Sequence, residues 1–441
     1  MDLNPCGGAE HVALSTMEAL IEMGIDIELT TARIPDISRL KKVFGAYKIN
    51  TIFNRVKRIN LFDSLPVIVD NDCNKTKDTI TINTHGDVLP YYLPNFSSSN
   101  AITYCHYPIL VDAIRERDPF YLKYLAGLGL VKSDREYSSP HNGDIGIQMF
   151  SHPYDGNSPF WQTLQESYMA MLKHSTVITN SSFSKDAILK ILPAAHDIKK
   201  KTTISTIATA PISSADQIMK NDPLVIPPPV NVEAFRSAAL YSVEREDLIV
   251  VISRFNPSKK LENAIALARI LKKQKIGNGM IIAGGLMPED RDYYNHIARM
   301  IKSGDLFDYV RLEVNATPDI LQSILRKGKV YFHPMPGEPF GISIVEAMSA
   351  GLIPVVQEIG GPADFVPEKY RFSSLGDATK KVFMAMNASQ EERINVSDSV
   401  IVFSEANYIK NIRTVIKNLL KKQQGIELDV SPRLPQQQQQ H

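Results

Sequence analysis

The chain is predicted to be an α/β protein made of two doubly wound, parallel-sheet domains. Three observations predict it. Short apolar runs alternate with helical patterns along most of the 441 residues, the signature of stacked β-α-β units. Three consecutive prolines, Pro227, Pro228 and Pro229, end a strand and stiffen a connection, after which the same rhythm restarts. The loops richest in chemistry follow a strand and precede a helix, where open α/β sheets bind ligands. The expected domains are 1–226 and 227–398, then a helical segment over 399–425 that packs back across the junction and a disordered, glutamine-rich tail over 426–441.

In the first domain the patterns place strands at 25–30, 67–69, 79–83, 101–105, 176–179 and 224–226, with helices at 9–23, 159–173 and 184–191. Residues 133–159 carry no assignable pattern. In the second domain strands fall at 248–253, 280–283, 310–313, 330–333 and 353–356, and helices at 261–272, 290–301, 319–326 and 341–350. A final helix covers 407–421 with no strand after it. The glycine-rich turn at Gly7 and Gly8 sits almost at residue 1, although such a turn normally follows the opening strand of a doubly wound sheet. The first domain is therefore expected to lack that strand, with no pairing over 1–5.

Composition narrows the function classes. Lys+Arg 49 against Asp+Glu 48 gives no overall pull toward nucleic acid. Cys6, Cys73 and Cys105 are scattered and odd in number, which fits a reducing, cytoplasmic setting rather than a disulfide framework. No run of 18 apolar residues and no secretory leader is visible. Between Ile37 and Phe62 lie seven basic residues and no acidic one, interleaved with apolar side chains. This stretch reads equally as a face for an anionic membrane surface and as an ordinary half-buried surface segment. Metal-hydrolase, C-x-x-C and P-loop spacings are missing, and Asp70-Asn71-Asp72 without further ligands reads as a solvated loop.

The most informative stretch is 334–361. Glu338 stands in a Pro/Gly loop, and Glu346 follows after seven intervening residues, about two turns into the next helix. Between them the N–H groups of Phe340, Gly341 and Ile342 are unpaired, and the helix dipole adds positive potential, a site suited to phosphate. Carboxylates on either side suit acceptance from sugar hydroxyls. Arg254 and Lys259 follow the first strand of the second domain, and together can neutralise a diphosphate. Gly7 and Gly8 let backbone approach a ligand at the start of the first long helix. His106 and His85 each follow a strand of the first domain and compete for a cleft-facing role.

These motifs resemble glycosyltransferase family 4, retaining enzymes of the GT-B fold, in order and spacing: G-G-A-E, S-R-F-x-x-x-K, and E-P-F-G-I-S-I-V-E-A-M-S-A-G followed by I-G-G-P. C-H-Y-P, V-I-T-N-S-S-F-S-K and G-L-I-P-V-V-Q-E-I-G-G-P look most like the mannosyltransferases that extend dolichol-linked oligosaccharides on the cytoplasmic face. The resemblance implies two Rossmann-like domains facing across a cleft, the first for the acceptor and the second for a nucleotide sugar. Arg254 and Lys259 would bind the donor diphosphate, Glu338 the transferred sugar, with Phe340, Gly341 and Ile342 amides beside it, and Glu346 the ribose. Gly284, Gly285 and Val314 would border phosphate and base, Gly7 and Gly8 would close over the donor, and His106 would contact the sugar. The expected activity is metal-independent hexose transfer, most simply of mannose, to a lipid-linked glycan. The nucleoside-diphosphate sugar is a co-substrate, and no cofactor is called for. A sugar-nucleotide epimerase and a non-catalytic subunit are the alternatives.

Overall fold

The computed structural model describes residues 2–31, 33–61, 80–86, 101–108, 168–169, 171–192, 222–240 and 244–423. The expected strand at 67–69, the Asp70-Asn71-Asp72 loop, the stretch 133–159, most of the helix at 159–173 and the tail lie outside them. The chain divides into two compact units, one of residues 1–180, 184–226 and 409–441, the other of residues 181–183 and 227–408.

The first unit begins with a turn at residues 4–5 and no strand among residues 2–7, and α1 (Gly8–Glu22) follows directly. Leu3, Ala13, Leu14 and Met17 are buried with Ile27 and Leu29 of β1 (Ile27–Thr31). Next come α2 (Ile37–Phe44), α3 (Ala46–Phe53) and β2 (Val56–Leu61), which pairs parallel with β1. The basic stretch is thus two short helices and a strand. Leu40, Ile49 and Ile52 are buried in the core, while Val43, Tyr47 and Ile59 are exposed. A second parallel sheet runs in the order β3 (Thr81–Asn83), β4 (Ala101–Cys105), β5 (Thr176–Thr179), β6 (Leu224–Val225). Helix α4 (Ser182–Ile191) follows β5.

The second unit opens with α5 (Val232–Leu240), which the periodicity did not predict. A six-stranded, all-parallel sheet then forms from β7 (Leu248–Ile252), β8 (Gly279–Gly284), β9 (Val310–Val314), β10 (Val330–Phe332), β11 (Ile353–Gln357) and β12 (Arg371–Phe372). Its spatial order, β12-β11-β10-β7-β8-β9, is the Rossmann order, with the reversal of winding between β7 and β10. Strands buried on both faces must be apolar throughout, and L-I-V-V-I of β7 and V-Y-F of β10 are. Ile249, Val250, Val251, Val330 and Phe332 are fully buried, each worth about 1.5–3 kcal/mol.

The covering helices are α6 (Leu261–Gln274), α7 (Arg291–Ser303), α8 (Pro318–Lys327), α9 (Ile342–Ser349), α10 (Leu375–Met386) and α11 (Gln390–Ser399). Helix α6 buries Leu261, Ala264, Ile265, Ala268 and Leu271, the spacing of one helical face, and ends at Lys275 in the left-handed conformation. Helix α8 starts at Pro318 after the Thr317 hydroxyl accepts from the Ile320 amide. The terminal α12 (Glu405–Gln423) begins in the second unit and continues in the first, where Arg413 pairs with Glu22 at 2.7 Å.

Candidate functional site

The candidate residues of the second unit fall at the carboxyl ends of its strands or in the loop and helix that follow β10. Arg254 and Lys259 follow β7, Gly284 and Gly285 close β8, Val314 ends β9, and Glu338 lies just beyond β10. Strands β7 and β10 are neighbours at the reversal of winding, where the outgoing loops diverge and leave a crevice.

The loop after β7 is built for placement. Asn256 Oδ1 accepts from the Ser258 amide and caps a single 3-10 turn, Pro257–Lys259, before α6. That turn carries Lys259 toward β10, and its Nζ lies 2.9 Å from Glu338 Oε2 and 3.5 Å from Met335 Sδ. Arg254 is exposed at the same edge, and no described residue bonds its guanidinium.

Glu338 is held from three sides. Its main chain bridges to Gly360, whose φ of +133° and closeness to the Glu338 backbone leave no room for a Cβ. The Gly361 amide donates to the Glu338 carbonyl at 2.8 Å. His333 Nε2 sits 3.2 Å from the same Oε2 that Lys259 contacts. Burial opposes ionisation of Glu338, but the Lys259 charge and the His333 hydrogen bond outweigh it and hold the carboxyl well below the usual range.

Gly341 takes a φ of +94°, and a Cβ there would lie 2.4 Å from Ile344 Cδ1, so only glycine starts α9 in this way. The left-handed step delays the helix to Ile342. Glu346 is therefore its fifth residue, little more than one turn in, which corrects the expected two turns. No described residue accepts from the amides of Phe340, Gly341 or Ile342. The Phe340 ring packs in the core against Phe365 and Phe403, so what it offers a ligand is backbone alone. Glu346 is half-buried with no carboxylate partner among the described residues, and burial pushes it up to about 7.

Gly284 and Gly285 differ in purpose. A Cβ on Gly284 would fall 1.7 Å from the Ser253 carbonyl oxygen, so this glycine lets β8 and the β7 loop touch; Gly285 faces open space. Asn315, next to Val314, adopts φ +54° and accepts from the Leu286 amide, which fixes the loop past Gly285.

Gly7, Gly8 and His106 lie in the first unit, in a cluster of their own. Glu10 accepts from the Gly7 amide and lies 3.4 Å from His85 Nε2. Burial opposes ionisation of Glu10, but His85 and the Gly7 amide hold it below its usual range. His106 Nε2 is 3.1 Å from the Thr84 carbonyl, and its ring meets His85 at 6.1 Å. The competition between the two histidines thus has a physical form: His85 is buried against Glu10, while His106 is the more open ring.

His333 is the residue sequence reasoning missed. Its signal was a histidine ending a buried strand five residues ahead of Glu338. A cavity of about 500 Å³ lies elsewhere, lined by Leu248, Gly279 and Val310 at the amino ends of β7, β8 and β9. It contains none of these groups, and strand polarity places ligands at the opposite edge.

Residues 207–373 match the family described as Glycosyl transferases group 1. GDP-Man:Man(3)GlcNAc(2)-PP-Dol alpha-1,2-mannosyltransferase of Dictyostelium discoideum is 26% identical over 216 residues, 45% of this chain and 43% of that protein. The human protein of the same name is 25% identical over 216 residues, 45% of this chain and 44% of its own length. The chain thus spans less than half the length of these curated relatives. Among solved structures, a glycosyltransferase from Rickettsia africae aligns with a TM-score of 0.53 at 14% identity, covering 94% of this chain and 95% of that one. Anabaena HepE, solved with UDP and glucose, aligns with a TM-score of 0.52 at 16% identity over 94% of this chain and 96% of its own. The fold is shared with both.

Proposed function

We propose that this chain, whose residues 207–373 are a glycosyl transferases group 1 domain on a GT-B fold, is a retaining hexosyltransferase that moves mannose from a GDP-linked donor to a lipid-linked glycan. The observation that carries it is the Lys259–Glu338 contact at the β7/β10 reversal, with Arg254, the unaccepted Phe340 and Gly341 amides and Glu346 around it. Cations and amides suit a diphosphate, and carboxylates on either side suit the hydroxyls of a sugar and a ribose. The mannosyltransferase relatives support the choice of donor and acceptor.

In this reading the bond between the anomeric carbon and the β-phosphate oxygen breaks as Arg254, Lys259 and the α9 amides take up the developing charge. The acceptor hydroxyl attacks from the same face and passes its proton to the departing phosphate, so configuration is kept. Protein cations suffice for that charge, and transfer proceeds with a chelator present. The first unit takes the acceptor. Its exposed Arg39, Lys42, Arg55 and Arg58, with exposed Val43, Tyr47 and Ile59, fit an anionic lipid surface on the cytoplasmic side. No described helix is long and apolar enough to cross a membrane.

The test is incubation of the full chain with labelled GDP-mannose and a dolichol-linked Man(3)GlcNAc(2) acceptor. One added hexose in α configuration supports the proposal. Epimerised donor formed without acceptor would replace it with the isomerase reading.

A further inference from the structure

His333 has no place in the charge arithmetic of a diphosphate site, yet it is among the most firmly mounted side chains there. It is 3% exposed, and its amide donates to the Val355 carbonyl at 3.0 Å. Its ring stacks on Tyr331 at 6.4 Å and 18°. Tyr331 is itself locked, its hydroxyl 3.1 Å from the Ile252 carbonyl and 2.7 Å from Ser343 Oγ. His333 Nδ1 is buried without a hydrogen-bond partner, so Nε2, 3.2 Å from Glu338 Oε2, is the ring's one polar contact. Lys259 is the opposite kind of partner: a flexible four-carbon stem carrying a mobile point charge, which bonds the same oxygen at 2.9 Å.

We propose that His333 is the positioning residue for the sugar-binding carboxylate: it is the fixed donor that keeps Glu338 aimed while Lys259 divides its bonding between Glu338 and the donor's diphosphate. The inference rests on the donor-site reading above and extends it. An ammonium shared between a departing phosphate and a carboxylate holds each less firmly than it would hold one alone, so the two demands conflict. A second, rigid donor on Oε2 removes that conflict and leaves Oε1 for a sugar hydroxyl. His333 thereby governs how much affinity the sugar adds to the nucleotide, without touching either.

The experiment is calorimetric titration of the full chain with GDP and with GDP-mannose, for the parent and two variants. A glutamine amide nitrogen reaches the position of Nε2 and an asparagine nitrogen only that of Nδ1. His333→Gln is therefore expected to keep the extra affinity for GDP-mannose over GDP within about threefold, whereas His333→Asn lowers it by about 10–100-fold. Both should bind GDP as the parent does, and thermal midpoints establish that they are folded. If His333→Asn fails to fold, His333→Phe, which keeps the ring volume and carries no donor, takes its place. An unchanged GDP-mannose increment in the donor-free variant overturns the proposal, as does equal weakening of both ligands in Asn and Gln variants. A parent chain that binds no GDP overturns the donor-site reading, and the proposal falls with it.

Discussion

Replacing Lys259 by methionine keeps the stem and removes the charge. At 2.9 Å, with an effective dielectric of about 20, the gross attraction between Lys259 and Glu338 is about 6 kcal/mol before desolvation is subtracted. Leaving one member of such a pair behind typically costs about 3–5 kcal/mol. His333 still bonds Glu338, which puts the expected loss near the lower end, about 3 kcal/mol. A domain stable by roughly 5–15 kcal/mol survives that. Removing a preorganised charge from the transition state costs about 2.7–4 kcal/mol more in the barrier, or roughly 100–1000-fold in turnover. The assay pairs mannose transfer from GDP-mannose with urea unfolding. A variant that unfolds about 3 kcal/mol more easily and turns over at the parent's rate would refute the assignment of Lys259 to the diphosphate.

Three further outcomes follow from the same geometry. Glu338 is held below its ordinary 4.5, so its contribution to stability is present above that pH and lost as pH falls beneath it; urea midpoints of parent and Lys259→Met should converge in acid. Glu346 is the reverse case, raised from 4.5 to about 7, so folding is favoured while it is protonated and loses stability as pH climbs through that window. Glu346→Gln should therefore leave stability near pH 4.5 unchanged and raise it above pH 7 by up to about 3 kcal/mol, while weakening GDP; stabilisation without weaker binding would remove Glu346 from the ribose. Gly284→Ala must push β8 off the Ser253 carbonyl and should destabilise by about 1–3 kcal/mol or more, whereas Gly285→Ala should unfold like the parent; equal denaturation midpoints for the two variants would contradict the packing described.

The second unit was legible wherever burial dictated the pattern. L-I-V-V-I and V-Y-F can be little other than central parallel strands, and the site loops followed once those strands were placed. In the first unit, β4 and β5 were read to the residue for the same reason. β2 was not: V-K-R-I-N-L exposes Lys57, Arg58 and Ile59, and only pairing with β1 makes it a strand. Helix α11 was hidden because its buried residues include Arg393, which bonds the carbonyls of Lys329, Gly351 and Ala385, and no apolar period announces that. The E-x7-E pair was visible as a spacing, but the αL start at Gly341 that shortens the helix before Glu346 was not. His333 went unseen since one histidine in a strand carries no period, and its meaning comes from the carboxylate folded beside it.

The central claim is that a nucleoside diphosphate binds at the carboxyl edge of β7 and β10, and a crystal structure of the full chain grown with GDP tests it most directly. The account predicts the β-phosphate within hydrogen-bond reach of Arg254, Lys259 and the Phe340 and Gly341 amides, with the ribose at Glu346. GDP seated instead at the amino ends of β7, β8 and β9, beside Leu248, Gly279 and Val310, would contradict it.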